Sequence, residues 1–232
     1  MRITKRLIAG LGVFLSVPIG ASVFLAELAA VGPRALIDRE VASQPVPLNY
    51  HWKDAYDLLK FSALVKPWDA DLKYELARLA WWQALHPDVD SQTSLLWLQT
   101  SVDHMEDALS LRPTWGRVWA ELSYVRLLQG EVLLAHHNFL RALHYEPYDA
   151  GTQRMILATG FAIWPMLYGD HKQAFMKVIK HVLENYWIDL AIVPAVYHGR
   201  EEVIREYIEG NTRAQELLDR QMRERQRGRS GE

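Results

Sequence analysis

Residues 116–149 constrain the fold of this chain more than any other stretch. Trp119, Leu122 and Ser123 recur at helical spacing, Ala135, Phe139 and Ala142 do so again, and Pro147 closes the stretch 34 residues after Pro113. Residues three and four apart share one helix face, so the pattern predicts two helices meeting along small residues. Ser123 and Ala135 lack bulk, which lets the helix axes approach to about 8–10 Å. Phe139 fills the wedge between them, and Pro147 cannot continue a helix. A hairpin of this kind buries only part of its apolar surface and needs neighbours on both sides.

The same spacing recurs upstream. Ala55, Leu59, Ser62 and Pro67 occupy the second-helix positions, as do Ser101, Met105, Ala108 and Pro113, while Leu76 and Ala77 stand where Leu122 and Ser123 do. Pro67 to Pro113 spans 46 residues against 34 for the next interval, and the 12 extra residues are expected in the turn around Asp88 to Ser94. Together these positions resemble the tetratricopeptide repeat, whose period is 34 residues. Arg126 departs from it, standing where a tyrosine is usual. The resemblance implies a helical-hairpin solenoid whose first helices line a concave groove. In that register Tyr74, Arg78 and Trp81, then Arg117, Tyr124 and Leu127, then Arg154 and Phe161 face the groove. Arginines beside rings suit an acidic peptide through charge-assisted hydrogen bonds, or a sugar chain stacked on the aromatics.

Arg2, Lys5 and Arg6 precede twenty uncharged residues, 7–26. About twenty apolar residues cross a bilayer, and the positive cluster is expected to stay on the cytoplasmic side. A cleaved signal peptide is the alternative, with Pro18 as breaker and Gly20 and Ser22 as small cleavage residues; the apolar run continuing through Leu25 favours an uncleaved anchor. Both readings export the rest of the chain. Gly12, Ser16 and Gly20 recur every four residues, a face on which another membrane helix packs closely.

The expected organisation is a cytoplasmic N-terminus (1–6), a transmembrane anchor (7–26) and a proline-punctuated linker (27–48). Repeats (49–165), a less regular helical cap (166–226) and a disordered tail (227–232) follow. The fold class is all-α.

Little of the sequence points to chemistry. Lys and Arg total 26 against 28 Asp and Glu, so no basic face invites nucleic acid. With no cysteine, thiolate metal sites and cysteine nucleophiles are excluded. His136, His137 and His144 lack chelating spacing. Asp69 with Asp71, and Asp88 with Asp90, sit at turns where aspartate caps helices. No catalytic residue, metal or cofactor is expected, and the chain reads as a non-enzyme.

A narrower likeness runs from Arg112, Pro113 and Thr114 through Trp115 to Leu122, then Gln129-Gly130-Glu131, Phe139 to Leu143, Glu146-Pro147-Tyr148 and 160–164. These residues resemble the small VpsP-like proteins, membrane-anchored repeat proteins found with bacterial exopolysaccharide biosynthesis and export systems. Tyr148 stands where that family usually has tryptophan. The resemblance implies a single-pass inner-membrane protein with a periplasmic body, scaffolding the components of polysaccharide synthesis or export. Direct glycan binding, or assembly of another envelope system such as pili, are the alternatives. It carries over no functional residue.

Overall fold

The computed structural model describes residues 20–38, 52–185 and 187–230, and every regular element among them is helical. Helix α1 runs Gly20–Asp38. It is followed by α2 (Trp52–Val65), α3 (Ala70–Ala84), α4 (Ser91–Leu111), α5 (Gly116–Leu128), α6 (Val132–Tyr145) and α7 (Ala150–Ala162). After a 3-10 turn at Trp164–Met166 come α8 (Gly169–Glu184), α9 (Ile188–Tyr197), α10 (Glu201–Arg205) and α11 (Thr212–Ser230).

One junction is used three times. Helices α2, α4 and α6 each end two residues before a proline (Pro67, Pro113, Pro147), and α3, α5 and α7 each begin three residues after it. Proline removes a backbone donor and drives the preceding residue out of the helical region, so each helix stops on the same cue. Asp69 then caps α3 by accepting the N–H groups of Asp71 and Leu72 at 3.1 and 3.2 Å. Asp149 caps α7 through Thr152 N–H at 2.9 Å. Trp115 offers no side-chain cap to α5; instead the Glu146 carboxylate accepts the Arg117 N–H at 3.0 Å. This brings Glu146 so close that a Cβ on Gly116 would lie 2.5 Å from Glu146 Cβ and 2.8 Å from its backbone nitrogen. Only glycine fits there.

The second-helix positions behave as their spacing predicts. Ala55, Leu59 and Ser62, then Ser101, Met105 and Ala108, then Ala135, Phe139 and Ala142 are all buried. Where serine replaces alanine, its hydroxyl donates to a carbonyl of the adjoining helix: Ser62 Oγ to Ala26 O and Ser101 Oγ to Ala77 O, both at 2.7 Å. The small side chain sets the close approach, and the hydroxyl is not left unpaired in the core.

The chain divides into two compact units, Met1–Pro113 and Thr114–Glu232. In the first, α2 packs on α3 and α3 on α4. In the second, α5 packs on α6 and α7, α7 on α8 and α9, and α9 on α10 and α11. Phe139, Phe161, Phe175 and Ile192 belong to the continuous apolar core of the second unit. The division expected at residue 165 is therefore not the division of compactness, because α8 to α11 share a core with α5 to α7.

Three other expectations need correction. Residues 27–38, expected as part of the linker, continue α1. Ala26, Ala30, Pro33 and Ile37 form its buried stripe, and Arg34 Nε reaches Glu75 of α3 at 2.9 Å. Burial and ion pairing thus outweigh the backbone bond that Pro33 forfeits. The 12 extra residues between Pro67 and Pro113 lie mostly in helix: α3 is two residues longer than α5, α4 is seven longer than α6, and the turn between them is three longer. Asp90 accepts from Gln92 and Thr93 N–H, each at 3.0 Å, and so starts α4 at Ser91, inside the stretch expected as turn. Finally, residues 227–230 of the expected tail are the end of α11.

Candidate functional site

The groove positions separate by unit and by burial. In the first unit Tyr74 and Trp81 are buried, so their rings offer no open platform. Arg78 is half-buried and its guanidinium stacks at 5.5 Å on Tyr74 and 4.8 Å on Trp82. Trp82 in turn lies 4.8 Å from Trp52, a packing of rings and cation worth about 0.5–2 kcal/mol per contact. Nearby, Tyr56 meets Trp97 edge-on at 5.3 Å, and its hydroxyl lies 2.8 Å from His104 Nε2. Burial holds the His104 imidazole below its ordinary pKa, so it is neutral there and takes part in the hydrogen bond as an uncharged partner.

In the second unit, Arg117, Tyr124 and Arg154 remain half-exposed. Arg117 reaches the Asp149 carboxylate at 3.5 Å. Its guanidinium also occupies the space that a side chain at residue 151 would need, so Gly151 and Arg117 are fitted to one another. Burial by itself would raise the Asp149 carboxyl, but the hydrogen bonds from Thr152 and the charge of Arg117 prevail and hold it below the usual range. Arg117 therefore braces the start of α7 as well as facing outward. Burial, and then the neighbouring Tyr197, push the Tyr124 phenol up, so it stays protonated.

Phe161 is not a groove residue. It is fully buried, stacked on Trp164 at 6.3 Å and edge-on to Phe175 at 5.3 Å. Phe175 also meets Phe139 at 5.5 Å, so these rings form the aromatic centre of the second core. On α8, Phe175 and Val178 are buried, with Ala174 half-buried beside them.

The other expected positions are placed as follows. Gly12 and Ser16 lie outside the described residues, and Gly20 is exposed with open space where a Cβ would stand. Asp69 and Asp90 cap helices, Asp71 pairs with Arg112 at 3.3 Å, and Asp88 is exposed. Among the described residues, no three His, Asp or Glu side chains are grouped to hold a metal ion. Arg126, at the position where tyrosine is usual, pairs with Glu131 across the α5–α6 turn. Gly130 makes that turn with φ +79°, a left-handed conformation that glycine adopts without strain.

One helix among the described residues, Gly20–Asp38, is long and apolar enough to cross a membrane. Sequence reasoning placed the membrane run at 7–26 but missed that its last residues belong to a helix attached to the first unit. The signal was present as Ala26, Ala30, Pro33 and Ile37 at helical spacing, masked by the reading of Pro33 as a breaker.

Comparison with protein-family models, with curated proteins and with solved structures finds no match to this chain.

Proposed function

We propose that this protein is a non-enzymatic, membrane-anchored scaffold of the bacterial envelope. Its N-terminus lies in the cytoplasm, its helical body in the periplasm, and it holds protein components of exopolysaccharide synthesis or export. The observation that carries the scaffold reading is the junction used three times: helix end, proline two residues on, next helix three residues beyond, with the small and bulky second-helix positions buried each time. Repeats of this kind build extended surfaces for other proteins rather than cavities for chemistry. The envelope and polysaccharide parts rest on the apolar N-terminal run and on the VpsP-like resemblance.

Between the two ligands considered, peptide is favoured over glycan. Three of the four rings expected to stack sugar, Tyr74, Trp81 and Phe161, are buried, whereas Arg117, Tyr124 and Arg154 are only half-buried in the second unit. Tethering two partners to one membrane protein converts their encounter into an intramolecular one, at effective concentrations on the order of millimolar.

Photo-crosslinking in living cells tests this reading. Benzoylphenylalanine replaces Tyr124 or Arg154, and Leu133, which is exposed on α6, serves as the comparison site. The scaffold reading expects a polysaccharide synthesis or export component captured at residues 124 and 154 and not at 133. Capture at 133 alone would move the partner surface elsewhere. Glycan retained by purified protein, with no protein captured at any site, would favour the sugar-binding alternative.

A further inference from the structure

We propose that the first unit sits directly on the bilayer, through the C-terminal end of α2 and the turn that leads into α3. This rests on the reading of residues 7–26 as a membrane anchor. The anchor and the unit share a helix: residues 20–26 of the apolar run lie in α1. From Ala26 onward α1 is fixed to the unit at three levels. Ser62 Oγ donates to Ala26 O at 2.7 Å, Lys66 pairs with Glu27, and Arg34 pairs with Glu75 at 2.9 Å. These contacts set the direction, with α1 antiparallel to α2 and parallel to α3. The end of α2 therefore lies level with Ala26 and Glu27, where the apolar run meets its first charge.

Packed helices lie about 8–10 Å apart, so a membrane that covers α1 up to Ala26 also reaches the end of α2. The side chains found there suit it. Leu64 is 74% exposed and Trp68 65% exposed, and Phe61 stands on the same outer stripe of α2. On α1, Phe24 is 67% exposed, with Leu25 and Leu28 beside it. Phe24 to Leu28 covers about 6 Å of helix, close to the interfacial zone on one side of a bilayer, roughly 5–7 Å. The outer stripe of α2 changes character along its length. Asp54 and Asp57 occupy the end remote from Ala26, Phe61 and Leu64 the end beside it, and Trp68 follows in the turn beyond α2. Tryptophan is the side chain that membrane interfaces favour. Six exposed apolar residues gathered at one end of a unit need an occupant, and the acyl–headgroup boundary is the one that the anchor brings to them.

The native chain has no cysteine, so single cysteines label cleanly. An environment-sensitive nitrobenzoxadiazole probe is attached to full-length Leu64→Cys, Trp68→Cys, Leu96→Cys and Phe14→Cys. Each is reconstituted in vesicles of phosphatidylethanolamine and phosphatidylglycerol, with or without nitroxide lipid. Leu96 is exposed at the opposite end of the unit, about 20 Å away by the length of α3. The expected result is blue-shifted emission and a several-fold loss of fluorescence to the nitroxide lipid at 64 and 68, with neither at 96. Quenching at 14, while 64 and 68 behave like 96, would overturn the docking and leave the anchor standing. No quenching at 14 would remove the anchor and the docking together. Self-quenching at 64 and 68 that follows protein density rather than nitroxide lipid would put a second copy on this surface and overturn the proposal.

Discussion

Replacing Gly160 by alanine sets two known effects against each other. In the interior of an exposed helix, alanine is favoured over glycine by about 1 kcal/mol. At this position in α7, however, the added Cβ would come within 2.8 Å of three atoms of the Phe175 ring. The ring has little room to yield, because Phe139, Phe161 and Trp164 surround it at centroid distances of 5.5, 5.3 and 6.1 Å. Overpacking a core costs about 1–3 kcal/mol, and this confinement points to the upper half of that range. Subtracting the helix preference leaves Gly160→Ala destabilising by roughly 1–2 kcal/mol, a fall in Tm of about 2–8 °C for a chain of this size. In a Phe175→Leu background the obstruction is gone, and the same substitution is expected to raise Tm. The coupling between the two sites is therefore about 2–3 kcal/mol. Thermal unfolding of the four proteins, followed by circular dichroism in detergent, measures it. A rise in Tm on Gly160→Ala in both backgrounds would refute the packing described for α7 and α8.

Other consequences are equally specific. Gly116→Ala is expected to lower stability by about 1–3 kcal/mol, since the clash falls on Glu146 backbone as well as side chain; urea unfolding reads it. Glu146→Ala is expected to cost about 1 kcal/mol through loss of the cap on α5, seen as a lower unfolding midpoint with an unchanged slope. Burial depresses the His104 imidazole, so its contribution to stability is present above its unfolded pKa, about 6.5, and is lost as pH falls through the folded value. His104→Gln is expected to flatten the decline of Tm between pH 7.5 and 5 relative to the native chain. Asp149, held below the ordinary carboxylate range, contributes stability above about pH 4 that is lost on further acidification; Asp149→Asn removes that part of the acid transition.

Much of the fold was legible because its cues are local. Pro67, Pro113 and Pro147 fix three helix ends by covalent geometry, and the small and bulky residues counted back from each proline are those found buried. Asp69 and Asp90 cap helices at the turns where their positions suggest it. The course of residues 27–38 was not legible, because Pro33 reads locally as a breaker while Ser62, Lys66 and Glu75, distant in sequence, decide the matter. The burial of the candidate groove residues was not legible in the sequence. Repeat register says which way a first-helix residue points, but whether it meets solvent depends on what packs there. Phe161 points into the aromatic centre formed with Phe175 of α8, a helix whose pattern departs from the repeat. Arg117, Tyr124 and Arg154 keep exposed surface.

The central claim is that a helical body works as a scaffold because it is held at the membrane. Exchanging residues 1–19 for a cleaved export signal releases the same body, and comparing partner recovery from cells making either form at equal level tests the claim most directly. Loss of the tether is expected to reduce crosslinked partner at residue 124 at least tenfold, as effective concentration falls from about millimolar to the bulk level, and surface polymer should fall with it. Equal recovery and equal polymer from the released, folded body would contradict the account.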